Sequence, residues 1–286
     1  MAITSLAGVI SGLQPPQMFS KLVGSSNSPG RLWSSWPLTG FPAAGPQSTT
    51  LDGAILTGPV ANQIQYNDPP SGNGYIARFQ GSCNQIQIIT PVFPYLMVAD
   101  RLWSNGGINT AITTVQTISP ATPTWPARDV NGGTNGEGVY LAVEVSAGAP
   151  LAGVQIITCD YTNSAGVAVT GVNTIGSQGS TIHTMSAAGN PSTSGNFYPL
   201  GLAPDDLGVK SVQTIKFDIA WSGTVNLVAW RPLMLLESGY TYPRAVDALT
   251  GAMPRLFNGT VPFIVGRANG MNNNASLIGE VQFTQG

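Results

Sequence analysis

The residues that could do chemistry are few in this chain of 286 residues. His183 is the only histidine, and Cys83 and Cys159 are the only cysteines. One histidine and two cysteines cannot supply the four ligands of a typical zinc site. A Ser–His–Asp triad would have to use His183, and the chain has no G-x-S-x-G turn to present the serine. His183 is therefore interpreted as an ordinary polar residue.

Paired carboxyl groups, which glycoside hydrolysis requires, are not indicated by the spacing of the acidic residues. Glu137 and Glu144 are seven positions apart, and on one strand an odd separation places two side chains on opposite faces. The other acidic candidates are interpreted as turn residues or local polar anchors: Asp205-Asp206, Asp100-Arg101 and Arg128-Asp129. We therefore expect no enzymatic activity.

Ligand-binding motifs are equally sparse. Gly72-Asn73-Gly74 and the GTNGEG run at 133–138 lack the following helix and the lysine of a phosphate-binding loop. Only three lysines occur, the eight arginines are scattered and the net charge is −2, so no basic stripe for nucleic acid is present. No cofactor, metal or nucleic acid is expected.

Six tryptophans could in principle stack on sugars, which keeps a lectin-like role open. Packing in a core and anchoring at an interface are the simpler explanations for aromatic residues of this size. The six are Trp33, Trp36, Trp103, Trp125, Trp221 and Trp230.

The elements that would position these residues are short β-strands separated by Gly, Pro and Asn. Alternation of apolar and polar residues predicts strands at 85–90, 111–118, 139–145, 154–161, 167–172, 212–220, 225–230, 263–265 and 278–283. Turn residues at 163–166 and at 221–224 predict two hairpins. This pattern is typical of a β-sandwich or jelly roll rather than a parallel α/β sheet.

Residues 1–60 are predicted to form an N-terminal arm. They contain two short helix candidates, Ile3 to Leu13 and Gln17 to Val23, separated by Pro15-Pro16. The Pro- and Gly-rich remainder carries Trp33, Trp36 and Phe41, which implies that it lies against its own sandwich or against a neighbouring subunit. A third short helix is predicted over Arg244 to Ala252.

Two further features concern loops and thiols. The run from Gly176 to Asn196 contains almost no large apolar residue, and a loop of this length is usually functional or disordered.

Cys159 lies in the apolar run GVQIITCDY and is expected to be a buried, free thiol. Cys83 is also expected to be free, with a Cys83–Cys159 disulfide as the alternative.

Composition narrows the class of protein. Only 8% of the residues are charged, although about a quarter is usual, whereas 42% are hydrophobic. The sequence shows neither a membrane-spanning run of about 20 apolar residues nor a signal peptide. The low charge is typical of a structural protein whose faces are covered by neighbours. Low charge without an export signal has few explanations, and one of them is synthesis in a host cytoplasm with release by lysis, as for a virus particle.

Five segments together resemble uncharacterised virion structural proteins of tailed bacteriophages and prophages. They are SGLQPPQMFSKLVGS near the start, ADRLWSNGG at 99–107, WPARDVNGGTNGEGVYLAVEVS at 125–146, DYTNSAGV at 160–167 and AVDALTGAMPRLFNGTVPFIV at 245–265. The resemblance implies a capsid-associated or other particle protein, and it carries over no catalytic residues.

The sequence therefore predicts an all-β protein, with an arm at 1–60 and a β-sandwich or jelly-roll-like domain at 61–286. Its expected role is a capsid decoration, cement or minor capsid protein of a bacteriophage particle, and the alternative is a tail, baseplate or fibre component, with or without carbohydrate binding. Expected partners are the major capsid protein or other virion proteins and further copies of the chain, as a trimer or dimer, with no membrane. The candidate assembly contacts are Met18, Phe19, Trp33, Trp36 and Phe41, and a variant lacking residues 1–45 is expected to keep its fold.

Overall fold

A computed structural model describes residues 3–23, 32–83, 95–118, 123–148, 155–175, 195–237, 243–267 and 275–286. Within these ranges the chain is almost entirely β-structure. In chain order, the elements are α1 (Leu6–Ser11), β1 (Gln17–Val23), β2 (Leu32–Ser34), β3 (Gly40–Phe41), β4 (Ala54–Ile55), β5 (Gly74–Cys83), β6 (Tyr95–Asn109), β7 (Gln116–Thr117), β8 (Tyr140–Gly148), β9 (Gln155–Asn163), β10 (Ala168–Ile175), β11 (Phe197–Pro199), β12 (Val209–Phe217), β13 (Gly223–Glu237), β14 (Arg244–Asp247), β15 (Arg255–Leu256), β16 (Pro262–Arg267) and β17 (Ala275–Gln285).

The strands form three antiparallel sheets. The central sheet has the order β11-β8-β13-β6-β16-β2, with β4 also paired to β6. A six-stranded sheet has the order β14-β5-β17-β1-β3, with β15 also paired to β5, and a four-stranded sheet has the order β10-β9-β12-β7. The predicted all-β class is confirmed, and the sheets pack on one another through shared hydrophobic cores.

The 15-residue strands β6 and β13 connect these cores. The first part of β13 packs with β9 and β12 of the four-stranded sheet, through Leu227, Ile157 and Ile215 among others. The last part of β13 packs with the six-stranded sheet, through Leu236, Phe79 and others. The strand pair thus holds the two outer sheets to one frame.

A third core lies between the central sheet and the segment 32–60. Trp36 packs there with Phe263 of β16, and Leu56 and Val60 pack against the same cluster. The Trp36 indole donates a hydrogen bond to the Pro46 carbonyl at 3.0 Å. Trp36 therefore pins this irregular segment onto the central sheet.

Two ion pairs are buried at the centre of the molecule. Arg101 on β6 makes two hydrogen bonds to Glu144 on β8, at 3.0 and 2.8 Å, and both side chains are fully buried. The Arg101 guanidinium also lies 5.1 Å from the centroid of the Trp36 ring. Beside this pair, Arg128 lies 3.2 Å from Asp100 and donates to the Leu56 carbonyl at 2.8 Å.

Several expectations about the N-terminal segment are corrected. The helix predicted over Ile3 to Leu13 is shorter, Leu6–Ser11, with the Ser5 hydroxyl accepting a hydrogen bond from the Gly8 N–H at 3.1 Å. Gln17–Val23 is strand β1 and not a helix, because its burial alternates with a period of two and it pairs with β17 along its full length.

The segment 1–60 is not a detached arm. β1 lies between β17 and β3 inside the six-stranded sheet, and β4 pairs with β6 of the central sheet. Deleting residues 1–45 would remove an inner strand together with the buried side chains of Phe19, Trp33 and Trp36. The structure therefore argues against the expectation that such a variant keeps its fold, and thermal unfolding of the variant would test it.

Further corrections concern three local predictions. Arg244 to Ala252 is not a helix: β14 pairs with β5, and a turn follows in which Asp247 accepts hydrogen bonds from the N–H groups of Leu249 and Thr250. The strand predicted over 111–118 is reduced to Gln116–Thr117. The turn at 221–224 does not close a hairpin, because β12 and β13 belong to different sheets.

The hairpin predicted around 163–166 is confirmed. β9 and β10 pair in an unbroken register, and Gly166 takes the left-handed conformation that the turn requires, at φ 84°. The Asn163 side chain accepts hydrogen bonds from the N–H groups of Ala165 and Val167, at 3.1 and 2.9 Å. The predicted strand at 85–90 and His183 lie outside the described residues, as does all but the end of the long loop at 176–196.

Cys159 is free and buried, as expected, and burial raises the pKa of its thiol to about 12. We expect this thiol to resist alkylating reagents in the native protein at pH 8, since the thiolate is the reactive form. Denaturation without reductant should release two reactive thiols per chain. Detection of no thiol after denaturation would instead indicate the Cys83–Cys159 disulfide.

The Arg101–Glu144 pair gives a second prediction. Removing one partner leaves an uncompensated charge in the core, so Arg101→Leu and Glu144→Leu should each lower the free energy of unfolding by about 3–5 kcal/mol. The double variant R101L/E144L should lose much less than the sum of the two single effects. Urea unfolding of the four proteins, followed by tryptophan fluorescence, measures this coupling, and strictly additive losses would contradict it.

Lys21 gives a third prediction. Its ammonium group is buried on the inner face of β1 and donates to the carbonyls of Leu38 and Ala43, at 3.0 and 3.3 Å. Burial lowers the pKa of Lys21 from 10.5 to about 8. Above about pH 8 the folded protein has released this proton while the unfolded chain still holds it, so the free energy of unfolding should rise with pH in this window.

The matched control is Lys21→Met, which keeps the chain length and cannot titrate. Urea unfolding between pH 7.5 and 9.5 stays below the range in which most tyrosines ionise. We expect the wild type to gain on the order of 1–2 kcal/mol relative to K21M across this range. Parallel pH profiles for the two proteins would show that Lys21 does not titrate there.

Candidate assembly surface

The structure separates the five predicted assembly contacts into two groups. Phe19, Trp33 and Trp36 are each 1% exposed and pack inside the chain itself. Met18 and Phe41 are 51% and 59% exposed. Of the two explanations for the aromatic residues near the N-terminus, packing against the chain's own sheets applies to both tryptophans, and only Met18 and Phe41 remain accessible to a partner.

Met18 and Phe41 lie on the same outer face of the six-stranded sheet. On β1, Phe19 and Lys21 point inward, so Met18, Ser20 and Leu22 point outward. Ser20 is paired with Phe41 on β3 and with Ile278 on β17. Directly opposed residues share a face and lie about 5 Å apart. Four large apolar side chains therefore surround Ser20.

We call this group the outer patch: Met18, Leu22, Phe41 and Ile278. Leu22 is 54% exposed and Ile278 is 43% exposed. Single exposed apolar residues are ordinary, but several side by side on a flat sheet are a usual mark of an interaction site. Sequence reasoning missed Leu22 and Ile278, because Ile278 comes close to β1 only through strand pairing.

A polar strip borders the outer patch. Met18 is paired with Glu280, and Glu280 in turn is paired with Gln80. Arg78 lies 3.4 Å from Glu280, and Asp247 is paired with Arg78 across β5 and β14. The outer face thus combines an apolar area with a small charged rim, an arrangement usual for protein interfaces.

The far end of the same sheet carries α1. A shallow groove of about 160 Å³ lies between α1 and the turn after β14, lined by Leu6, Ile10, Leu249 and Gln282 among others. Leu6, Ile10 and Leu249 are exposed. A second groove of about 280 Å³ adjoins it at Leu6 and Leu249, and both are open to solvent.

The residues considered for chemistry are held apart by separate partners. Glu144 is bound to Arg101, whereas Glu137 accepts a hydrogen bond from the Asn131 side chain at 2.7 Å. Asp206 accepts from Tyr161 and Asn163, both at 2.6 Å. Across the ranges that the structure describes, no three His, Cys, Asp or Glu side chains come close enough to hold a metal ion.

Asp100, Arg101 and Arg128 do not act as local anchors, contrary to expectation. Arg101 and Arg128 reach partners 43 and 28 positions away, Glu144 and Asp100. Asp129 alone acts locally, accepting from the N–H groups of Asn131 and Gly133 at 2.9 and 2.7 Å.

Carbohydrate stacking finds no support in the tryptophans. All six lie within the described residues, and none is more than 9% exposed. Trp103 and Trp125 pack against each other with ring centroids 5.5 Å apart, and the Trp125 indole donates to the Val209 carbonyl at 2.6 Å. These rings fill the core and offer no open face to a sugar.

No helix in the described part of the chain is long and apolar enough to cross a bilayer, and α1 has only six residues.

Comparisons with known proteins return little. No protein-family model matches the chain, and no curated protein matches it. Solved structures that are similar to it include a subviral particle of the infectious bursal disease virus protein VP2, at 7% identity and a TM-score of 0.20 over 95% of this chain and 80% of that one. The T=1 particles derived from the same virus give 7% identity and a TM-score of 0.20, over 96% and 78% of the two chains. Similarity at this level carries no argument about fold or function.

Proposed function

We propose that this chain is a structural protein of a virus particle, and more specifically a capsid decoration, cement or minor capsid protein of a tailed bacteriophage. In this role it has no catalytic activity and acts in the virion. The outer patch binds the major capsid protein or another virion protein. The observation that carries the proposal is the exposure of Met18, Leu22, Phe41 and Ile278 side by side on one sheet face.

The distribution of charge supports the same proposal. The chain has only 24 charged residues, and at least seven of them are buried. These seven are Lys21, Asp100, Arg101, Arg128, Asp129, Glu144 and Arg231. At most 17 charged residues are therefore left for the surface, since 24 minus 7 is 17. Such a surface loses little solvation free energy when neighbouring subunits cover it, because few charges must be desolvated.

The fold supports a scaffold role as well. Several buried or half-buried charged side chains form structural contacts: Arg101 with Glu144, Arg128 with Asp100, and Asp206 with Tyr161. The sequence segments quoted above resemble tailed-phage virion proteins and contribute the phage-specific part of the proposal.

The test compares a patch variant with a matched surface variant. Met18→Glu with Phe41→Glu places two carboxylates in the outer patch without touching the core. Leu207→Glu with Val130→Glu makes the same change at two positions that are 64% and 51% exposed and lie outside the six-stranded sheet. Tagged proteins are expressed during infection, and particles are purified on a density gradient.

We expect the wild type and the control to sediment with particles. The patch variant should bind roughly 30-fold more weakly or worse, the loss that corresponds to about 2 kcal/mol for a desolvated anchor. Circular dichroism and thermal unfolding serve as the control that each variant is folded. Absence of the wild-type chain from purified particles would refute the virion role, and full occupancy by the patch variant would refute the role of the outer patch.

A further inference from the structure

β10 is an unusually long edge strand. It is the outermost strand of the four-stranded sheet and has eight residues, Ala168–Ile175. The other strands that end a sheet order in the described residues have two to four: β7, β3, β11, β2 and β14. No described residue pairs with the outer side of β10.

The register identifies which backbone groups of β10 face outward. The Asn163 N–H donates to the Val167 carbonyl at 2.9 Å, so this pair is hydrogen-bonded, and every second residue of β10 from Val169 onward bonds to β9. The alternate residues point their N–H and C=O groups away from β9. They are Ala168, Thr170, Val172 and Thr174.

A hydrogen bond on the other side of β9 confirms this assignment of inward and outward backbone groups. The Ile156 carbonyl accepts from the Asp218 N–H at 3.1 Å, towards β12. Even-numbered residues of β9 therefore bond towards β12, and odd-numbered residues bond towards β10.

Nothing in β10 protects this edge. Proteins usually blunt an exposed edge strand with charged residues, proline or a bulge. The sequence AVTGVNTI contains no charge and no proline, and its pairing with β9 has no register shift. By contrast, the β9–β12 and β6–β13 pairings are interrupted by shifts. Within the ranges that the structure describes, this edge is thus free to accept another strand.

We propose that β10 pairs with β10 of a second copy of this chain, antiparallel about a two-fold axis at Gly171, and so joins two four-stranded sheets into one sheet of eight. In this register Ala168 lies opposite Thr174 of the second copy, and Thr170 lies opposite Val172. Every outward N–H and C=O group of the four alternate residues then meets a partner. The pairing is self-complementary because the same residues fill both sides.

Two features favour a second copy of this chain as the strand that pairs with β10: the absence of charge on β10 and the short strand at the opposite edge of the sheet. Identical strands without charge do not repel each other, and the nearby Asp160 carboxylate is occupied by the hydroxyls of Thr170 and Thr214, at 2.7 and 2.6 Å. The opposite edge of the sheet is β7, which has only two residues. Pairing therefore stops at two copies instead of continuing into a fibre.

This dimer does not depend on the proposed virion role. If both hold, one dimer presents two outer patches, and binding through two linked sites strengthens attachment without any new contact.

The test uses charges placed by the proposed register. Ala168→Lys with Thr174→Lys sets lysine opposite lysine at two places across the axis, whereas Ala168→Lys with Thr174→Glu sets lysine opposite glutamate at the same two places. Leu207→Lys with Val130→Lys adds two lysines elsewhere on the exposed surface. Sedimentation velocity on the full chain measures the mass of each folded protein.

We expect the wild type to sediment as a dimer, at twice the 29.7 kDa of the monomer. A168K/T174K should be monomeric, and both A168K/T174E and the surface control should be dimeric. The outer-patch variant M18E/F41E should also stay dimeric, which separates this proposal from the proposed function. A monomeric wild type, a dimeric A168K/T174K or a monomeric A168K/T174E would each overturn the proposal.

Val172→Pro provides a second variant should the lysine pair prevent folding. It removes an outward N–H while leaving the hydrogen bonds from β10 to β9 in place. We expect at least a tenfold weaker dimer, and an unchanged dimer would contradict the edge pairing.

Discussion

The buried pair of Arg101 and Glu144 sets the constraint around which the rest of the structure is arranged. Arg101 belongs to β6 and Glu144 to β8, and β13 runs between them, so the pair reaches across the central strand of the sheet. Two charges without water are costly unless partners with good geometry offset the loss of hydration. The compensation comes from two parallel hydrogen bonds, from the face of Trp36 and, for Arg128 beside it, from Asp100 and a backbone carbonyl.

This requirement explains why an irregular segment is so firmly held. The stretch around Trp36, Pro46 and Leu56 has few strands of its own, yet it covers the ion pairs and supplies the groups that they need. This segment shields the two ion pairs from water, and its contacts with the ion pairs fix its position on the central sheet. Composition reveals that charge is scarce, but it does not reveal that much of that charge is inside.

Local patterns predicted the parts of the fold that depend on local structure. The β9–β10 hairpin was predictable because Asn163 and Gly166 satisfy the turn by themselves. Gln17–Val23 was misread as a helix because its strand conformation depends on β17, which lies more than 250 residues away. The turn at 221–224 looked like a hairpin because sequence spacing cannot distinguish a turn within one sheet from a passage between two sheets.

The same distinction applies to the assembly surface. Met18 and Phe41 could be found as apolar residues in a polar segment, whereas Leu22 and Ile278 join them only through the pairing of β1 with β17. Phe19, Trp33 and Trp36 have the same composition signal but point inward. The face of the strand to which such a side chain points decides whether it can contact a partner or belongs to the core. The mistaken prediction of a helix over Gln17 to Val23 hid which side chains of that segment share a face.

The pairing of β1 with β17 also determines when the outer patch can exist. β1 spans Gln17–Val23 and β17 spans Ala275–Gln285, so a ribosome must make the whole stretch between them before the two strands can meet. Until then Ile278 is missing and β1 lacks one neighbour. A nascent or truncated chain therefore cannot present the complete surface. The outer patch is therefore complete only in copies in which β17 has been made and has paired with β1.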